Sequence, residues 1–305
     1  MKQIFLILAV VLSSFQLTNA EKLTVASYNI RYKNTSDSVN GNGWNQRCPV
    51  ICGLIRFNDF DIFGAQEVLH EQLTDMLKLL PGYSYVGVGR DDGETKGEYA
   101  PVFYRKDKFE VIKSGHFWLS EITDRPNKGW DAALPRICTW VQLKDIHNGF
   151  EFYFFNLHMD HIGVQARKNS AQLVIKKIKE ICGSRPVILT GDFNVDQHSP
   201  NYSVIVNSGI LSDSYETAQI RYALNGTFND FKTDMKTDSR IDHIFVSSSF
   251  KVERYGILTD TYRAEVPGSK SVKSGNFPQE VSLKKYTART PSDHFPVKVI
   301  LNVSE

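Results

Sequence analysis

Short apolar runs that end in polar side chains recur along this chain and alternate with segments of helical periodicity. The clearest run is Pro186–Asn194, in which a Val-Ile-Leu core is followed within a few residues by Gly-Asp-Phe-Asn. A continuous aliphatic run between residues that break strands is typical of a strand buried on both faces. We therefore predict an interior strand that delivers Asp192 and Asn194 at its carboxyl end.

The same patterns predict the remaining elements. Strands are expected where apolar and small residues alternate or run together, at Leu23–Ile30, Asp61–Gln66, Tyr83–Val88, Ala100–Tyr104, Phe109–Val111, Phe117–Leu119, Ile137–Leu143, Phe150–Leu157, Arg240–Val246, Phe250–Leu258 and Phe295–Leu301. Helical spacing predicts helices at Trp44–Phe57, His70–Leu80 and Val164–Cys182 and near Tyr202–Asn207. The Lys-, Ser- and Gly-rich segment Thr259–Thr290 shows neither the alternation typical of strands nor the spacing typical of helices. A connection of that length is uncommon in a compact domain unless it covers a site or is mobile.

The first 20 residues form a segment of their own. Lys2 precedes an apolar run at Ile4–Leu12 that is too short to span a bilayer, and small residues follow near Ala20. We expect a signal peptide at residues 1–20, with an uncleaved membrane anchor as the alternative. The expected mature protein, residues 21–305, is then one exported domain, periplasmic or extracellular, with no stable membrane span.

Composition narrows the classes of function. The chain carries 36 basic and 34 acidic side chains, so it is close to neutral. A high-affinity, non-specific nucleic-acid binder would need a large positive field, which this balance does not supply. A nuclease with a local basic groove is still compatible with it.

Four cysteines are too few for a disulfide scaffold. Cys48 and Cys52 are one helical turn apart and could face each other, whereas Cys138 lies in a strand pattern and Cys182 at a helix end. Zinc would need more ligands at the usual spacing. We expect buried free thiols at most of these positions.

Polar side chains stand at the ends of separate predicted strands: Asn29, Glu67, His158, Asp192, Asn194, Asp242, Asp293 and His294. Each one alone is compatible with a cap, a turn or a buried hydrogen-bonded group. Their recurrence at strand ends instead predicts one shared site. Carboxylates are oxygen ligands that suit Mg²⁺ or Mn²⁺, an Asp beside an Asn can orient water, and a His paired with a carboxylate can stabilise a phosphoryl transition state.

In combination these residues resemble the endonuclease/exonuclease/phosphatase superfamily, the deoxyribonuclease I-like metal-dependent phosphoesterases. The resemblance covers essentially the whole mature chain and rests on SYNIR around Asn29, AQEV around Glu67, NLHMDH around His158, GDFN at 191–194, RIDHIFV at 240–246 and SDHFPV at 292–297. It implies a four-layer α/β sandwich, in which two packed mixed β-sheets are flanked by helices and the site lies at one edge.

The resemblance also implies the metal site. Glu67 would be the principal ligand of a divalent cation, Mg²⁺ or Mn²⁺, and Asn29 and Asp293 would assist. Asp192 would orient or activate the nucleophilic water.

Other residues would act on the phosphate in the same resemblance. Asn194 would position it, His158 and His294 would contact its oxygens, and Asp242 would hold His294. The chain looks most like exported bacterial members, because of NKGWDAALPR at Asn127–Arg136 and HMDHIGVQAR at His158–Arg167. We expect further substrate contacts from residues in or near these motifs: Arg31, Trp130, Arg136 and His161.

The expected function is a secreted phosphoesterase, active as a monomer on a phosphodiester or phosphomonoester through metal-assisted attack of water. Near-neutral charge favours a small or lipid-linked substrate over DNA or RNA, although a nuclease is the alternative. From another class, a non-catalytic protein on the same scaffold could bind sugars or other ligands, with Trp44, Trp118 and Trp130 stacking on the ligand. A serine or cysteine hydrolase is disfavoured, because the sequence contains no nucleophile elbow and no matched Cys–His pair.

Overall fold

The computed structural model describes residues 22–273 and 275–303. The predicted signal peptide at residues 1–20 lies outside the described residues. Within the described ranges, none of the helices combines the length and the apolar character that crossing a bilayer requires.

Fifteen strands and six helices make up the described chain. The strands are β1 (Lys22–Asn29), β2 (Ile62–Gln66), β3 (Tyr83–Val86), β4 (Val102–Arg105), β5 (Phe109–Trp118), β6 (Ile137–Asp145), β7 (Glu151–His158), β8 (Val187–Asp192), β9 (Ser212–Asp213), β10 (Ile220–Tyr222), β11 (Asp242–Val246), β12 (Phe250–Ile257), β13 (Tyr262–Glu265), β14 (Tyr286–Arg289) and β15 (Val297–Val303). The helices are α1 (Thr35–Val39), α2 (Trp44–Phe57), α3 (His70–Leu79), α4 (Val164–Cys182), α5 (Pro200–Val206) and α6 (Ser214–Thr217).

The strands form two large mixed sheets and one small sheet. The first large sheet has the order β10-β12-β15-β1-β2-β4-β3, and the second has the order β5-β6-β7-β8-β11-β9. In the first, β1 is parallel to β2 and antiparallel to β15. In the second, β7 is parallel to β8, and β11 runs antiparallel to β8. The third sheet pairs β13 with β14.

Alternate side chains of the central strands show that the two large sheets lie in the middle of four layers. In β8, Ile188 packs between the sheets against β1 and β2, whereas Val187 and Leu189 pack on α4. In β1, Val25 packs between the sheets and Ala26 on α2 and α3. Because both faces are covered, all six residues of β8 are buried. The predicted four-layer α/β sandwich is confirmed.

Helix α4 follows from its sequence pattern. Its buried residues recur three or four positions apart, as in Ala171, Val174 and Ile178, so one stripe of the helix packs on the second sheet. The helix ends at Gly183, which has φ +60° and donates its backbone N–H to the carbonyl of Lys179. Glycine is suited to that left-handed position.

Two parts of the chain differ from the prediction. The two short strands expected at Phe109–Val111 and Phe117–Leu119 are one strand, β5, whose register shifts between Val111 and Lys113. β5 is an edge strand, so its middle is polar and lacks the apolar pattern that predicts strands. The expected irregular connection Thr259–Thr290 contains the paired strands β13 and β14.

Short elements were also missed. The patterns did not predict α1, α6, β9 or β10, each of five residues or fewer, because such elements show too little of either period. All four cysteines are buried free thiols, as expected.

Candidate active site

Strand direction brings the predicted polar residues to one edge of the sandwich. The parallel strands β1 and β2 end level with each other, with Asn29 beside Gln66, so Glu67 follows at the same edge. In the second sheet, His158 pairs with Asp192 at the ends of β7 and β8. The antiparallel strand β11 starts at this edge, where Asp242 pairs with Asp192. Asp293 and His294 enter at the same edge just before β15, which is antiparallel to β1.

A layer of polar side chains lies between the two sheets directly below this edge. The side-chain amide of Gln66 donates to Oδ1 of Asn156 at 2.6 Å, and the Thr190 hydroxyl donates to the same oxygen at 3.1 Å. Nδ2 of Asn156 donates to the carbonyls of Ala65 and Pro101. The layer therefore cross-links the sheets where the apolar interior gives way to the site.

Asp192 lies at the centre of the site. Its Oδ2 accepts a hydrogen bond from Nδ2 of Asn29 at 2.9 Å, and its Oδ1 accepts one from the backbone N–H of Asn194 at 3.0 Å. Nε2 of His158 and Nε2 of His294 lie 3.5 and 3.8 Å from Oδ2. Burial raises the pKa of Asp192 to about 7.

His294 forms a buried dyad with Asp242. Nδ1 of His294 lies 2.8 Å from Oδ2 of Asp242, and Oδ1 of Asp242 has no hydrogen-bond partner among the described residues. Burial would lower the pKa of His294, but Asp242 and Asp192 reverse this effect and raise it well above its ordinary value. The imidazole is therefore positioned as a charged donor.

Glu67 is the carboxylate whose surroundings best suit a metal ion. Its oxygens accept hydrogen bonds from Nδ2 of Asn29 at 3.1 Å and from the backbone N–H of Tyr32 at 3.2 Å. One ligand atom from each of Glu67, His158 and Asp192 lies within 4.8 Å of the others. Glu67 also has φ +60°, an unfavourable conformation of the kind that functional sites retain.

Asp293 is the second predicted carboxylate ligand. Its Oδ2 lies 3.4 Å from Nη1 of Arg31, and burial raises its pKa to about 6, with the charge of Glu67 adding to the effect. Buried carboxylates that lack enough positive charge suit a hard divalent cation such as Mg²⁺ or Mn²⁺. The residues at this edge therefore fit the predicted metal, and they could hold it.

His158 has an acidic neighbour that the sequence analysis did not single out. Nδ1 of His158 lies 3.8 Å from Glu98, which accepts two hydrogen bonds from Arg90 at 2.8 and 2.9 Å. Burial and the charges of Arg136 and Arg90 hold the pKa of His158 well below its usual range, so the ring is neutral. The usable signal was the pair of opposite charges, Arg90 and Glu98, at the two ends of the polar segment between the predicted strands Tyr83–Val88 and Ala100–Tyr104.

Arg136 is fixed beside His158 with one nitrogen free. Nε donates to Asp160 at 3.3 Å, Nη2 lies 2.9 Å from Nδ1 of His161, and the buried Nη1 has no partner among the described residues. Asp160 also accepts from four backbone N–H groups, and although burial opposes the effect, these bonds lower its pKa to about 2. Because these N–H groups already stabilise the Asp160 carboxylate, Asp160 offsets only part of the positive charge of Arg136.

Arg47, an arginine that the sequence analysis did not single out, holds the loops of the site together. It is completely buried and donates to the carbonyls of Ile30, Arg31, Asn42 and Pro291. It therefore ties the segment after β1 to the segment that leads into Asp293 and His294.

Together these residues surround a cleft of about 430 Å³. It is lined by Arg31, Tyr32, Glu67, Glu98, Leu134, Arg136, His158, His161, Asp192, Asn194, Phe228, Asp230, Asp293 and His294. Three of the four expected substrate-contacting residues are in this lining, and Trp130 is not. Trp44 and Trp118 are buried, each with 2% exposed surface, so neither offers a face for ligand stacking.

Comparison with known proteins identifies the family. Residues 26–294 match the model of the endonuclease/exonuclease/phosphatase family. The chain belongs to this family, which confirms the resemblance inferred from the motifs. Its class is therefore that of a hydrolase of ester bonds, as predicted.

Similar proteins occur in bacteria and in a virus. A mannosyl-6-phosphatase of Bacteroides thetaiotaomicron VPI-5482 is 57% identical, with a TM-score of 0.84, over 92% of this chain and 99% of that one. A family member from Bacteroides vulgatus is 41% identical, with a TM-score of 0.80, over 93% of this chain and 100% of that one. An uncharacterized protein, L388, of Acanthamoeba polyphaga mimivirus is 27% identical over 84% of this chain and 91% of its own length.

Proposed function

We propose that this protein is a divalent-metal-dependent phosphoesterase that hydrolyses the phosphomonoester of a sugar phosphate. The observation that carries the proposal is the convergence of Glu67, Asp192 and His158 within 4.8 Å of one another, beside the His294–Asp242 dyad. Carboxylates, a neutral imidazole and a charged imidazole in one cleft match the needs of phosphoryl transfer to water.

Glu67, with Asn29 and Asp293, would hold the cation, which supplies positive charge to the phosphoryl oxygens when bound. Asp192 would accept the proton of the attacking water, because its carboxylate lies at the centre of the cluster formed with Glu67 and His158. Asn29 and the backbone N–H of Asn194 keep its oxygens oriented.

The remaining groups bind the phosphate. Charged His294, oriented by Asp242, donates to an oxygen on which negative charge accumulates. His158, Asn194 and Arg136 line the same cleft, and a neutral imidazole, an amide and a guanidinium can each donate a hydrogen bond. Arg31 is expected to lie further from the phosphate, since it already pairs with Asp37 and Asp293.

The substrate is proposed from similarity and charge. The 57% identical mannosyl-6-phosphatase supports a sugar phosphate, and the near-neutral chain gives no support to nucleic acid as the main substrate. From the sequence of residues 1–20 we also propose that the enzyme is exported, and we expect it to act as a monomer.

The test is phosphate release from mannose 6-phosphate by purified residues 21–305, with Mg²⁺, with Mn²⁺ or with chelator. We expect activity only with a cation, and we expect Glu67→Gln to weaken Mn²⁺ binding measured by calorimetry at least tenfold. Glu71→Gln is the matched control, because Glu71 is exposed and pairs with Lys33 on the surface. Full activity in chelator, or undiminished Mn²⁺ affinity of Glu67→Gln, would refute the proposed metal site.

A further inference from the structure

One wall of the cleft is built on the segment that carries the proposed metal ligand Asp293 and the proposed catalytic His294. The backbone N–H of Asn229 donates to the Asp293 carbonyl at 2.7 Å, and that of Phe295 donates to the Thr227 carbonyl at 2.7 Å. Nδ2 of Asn229 donates to the Ser292 carbonyl at 3.1 Å. The strand-like pairing places Phe228 directly beside His294, so this wall, residues 227–231, is held as firmly as the catalytic residues.

The backbone of the same wall is strained. Asp230 and Phe231 both have positive φ, 51° and 57°, a conformation that is unfavourable for residues with a Cβ and rare for a bulky aromatic. The Arg47 guanidinium lies 5.5 Å from the ring centre of Phe231 and helps to hold it. The chain turns sharply at these two residues, and Asp230 lines the cleft.

Phe228 presents an aromatic surface next to the catalytic histidine. Its ring lies 5.1 Å from that of His294 at 73°, and the residue is 41% exposed. It lines the cleft and also a neighbouring pocket of about 290 Å³, whose other walls include Met235 and Ile241. An exposed aromatic ring at a mostly apolar pocket is a typical ligand contact.

Two parts of the cleft lining differ in charge and therefore suit different groups of a ligand. Arg136 supplies positive charge near His158, whereas Asp230 brings a carboxylate to the wall at Phe228. Asp230 pairs with Lys232 at 2.8 Å, but both side chains are more than half exposed, so solvent weakens that pair. The pocket beside this wall also carries Lys232 and Lys236, so the wall is of mixed charge, and the Asp230 carboxylate can accept hydrogen bonds from the hydroxyls of a polyol.

We propose that Phe228 and Asp230 form the subsite for the sugar ring of the substrate, with the ring's C–H face on Phe228 and a hydroxyl donating to Asp230. This inference rests on the proposed function and goes beyond it, because it assigns the residues that distinguish a sugar phosphate from other phosphoesters.

The experiment compares mannose 6-phosphate with inorganic phosphate, which lacks the sugar and inhibits as the product. For Phe228→Ala and for Asp230→Asn, we expect KM for mannose 6-phosphate to rise roughly tenfold. The inhibition constant of inorganic phosphate should change less than about twofold, because the phosphate contacts are elsewhere. Phe57→Ala is the matched control, since Phe57 is 88% exposed at the end of α2.

Two results would overturn the subsite. In one, both variants keep the wild-type KM for mannose 6-phosphate. In the other, both weaken inorganic phosphate as much as mannose 6-phosphate, which would make Phe228 a support for His294 only. If Phe228→Ala does not fold, Asp230→Asn alone still tests the subsite. Failure of the wild-type protein to release phosphate from any sugar phosphate would instead refute the proposed function itself.

Discussion

At the scale of single residues, the site is a concentration of buried carboxylates that is costly without a cation. Asp192, Asp242 and Asp293 are at most 5% exposed, and burial raises the pKa of Asp192 to about 7 and that of Asp293 to about 6. Ionising such groups in a buried site opposes folding. Stability is thus lowered where the chemistry needs negative charge.

The first prediction at this scale concerns Asp192 and pH. The folded metal-free protein keeps the Asp192 proton up to pH about 7, whereas the unfolded chain releases it near the ordinary aspartate pKa of 3.8. The folded state therefore binds more protons between these values, and the free energy of unfolding falls as pH rises through this window. Asp192→Asn removes this titration and should stabilise the metal-free protein at pH 8 by on the order of 2 kcal/mol.

The measurement is thermal unfolding in chelator at pH 5 and pH 8. The gain of Asp192→Asn over wild type should be smaller at pH 5, and Asp124→Asn, at an exposed position, should show no gain. The same variant should lose about 10²- to 10⁴-fold in kcat with metal present. An equal effect on stability at both pH values would contradict the assignment of the raised pKa to Asp192.

The polar residues of the site were predictable where they stand at one end of a strong apolar run. Asn29, His158 and Asp192 end strands with clear patterns, so the sequence correctly predicted that they stand at the ends of β1, β7 and β8. Glu98 was missed because it lies in a polar loop, where an acidic residue is unremarkable before its contact with Arg90 and His158 is known. Trp130 was selected for its motif, but it does not line the cleft.

At the scale of elements, the polar layer between β2, β7 and β8 determines how closely the sheets approach below the site. Gly64 on β2 faces this layer, and a Cβ there would collide with Oδ1 of Asn156 and Oγ1 of Thr190. Oδ1 of Asn156 accepts the hydrogen bond from Gln66 that links the two sheets, and Oγ1 of Thr190 donates to the same oxygen within the second sheet. Glycine is therefore required at this position for close packing and not for its backbone angles.

The prediction at this scale is that Gly64→Ala lowers the free energy of unfolding by about 1–3 kcal/mol, as overpacking does. Gly53→Ala is the control, because a Cβ at Gly53 in α2 meets nothing within 4 Å. It should stabilise the protein by about 0.5–1 kcal/mol through the gain in helix propensity. Urea unfolding at equal m-values measures the change in the free energy of unfolding for both variants. If Gly64→Ala leaves that free energy unchanged, the two sheets can separate locally without cost.

At the scale of the whole molecule, the predicted loop Thr259–Thr290 forms a hairpin arm, defined here as residues 262–289. β13 and β14 pair at its base, and Arg289 donates to the carbonyl of Asn40 and to Oδ1 of Asn42. The segment Thr259–Thr290 has six basic and three acidic residues in an otherwise nearly neutral chain. It leads directly into Asp293 and His294.

The third prediction is that this arm attracts anionic substrate. Shortening residues 270–279 should lower kcat/KM for mannose 6-phosphate at low salt by up to about tenfold and should reduce its salt dependence. The double variant Lys270→Gln/Lys273→Gln removes positive charge without shortening the arm. It should reproduce most of the loss in kcat/KM. If kcat/KM is unchanged at both low and high salt, the arm does not attract the substrate and is only a surface hairpin.

The order of most strands and helices and most strand-end residues were determined by the sequence itself, because burial on two faces and helical periodicity are local patterns, and the four-layer class followed from the family resemblance. Family motifs added the roles of Glu67, Asp192 and His294. Only the tertiary structure decided which distant residues meet: Glu98 with His158, the buried Arg47 among four carbonyls, and Phe228 beside His294. These contacts join segments far apart in the chain, and no local pattern records such pairings.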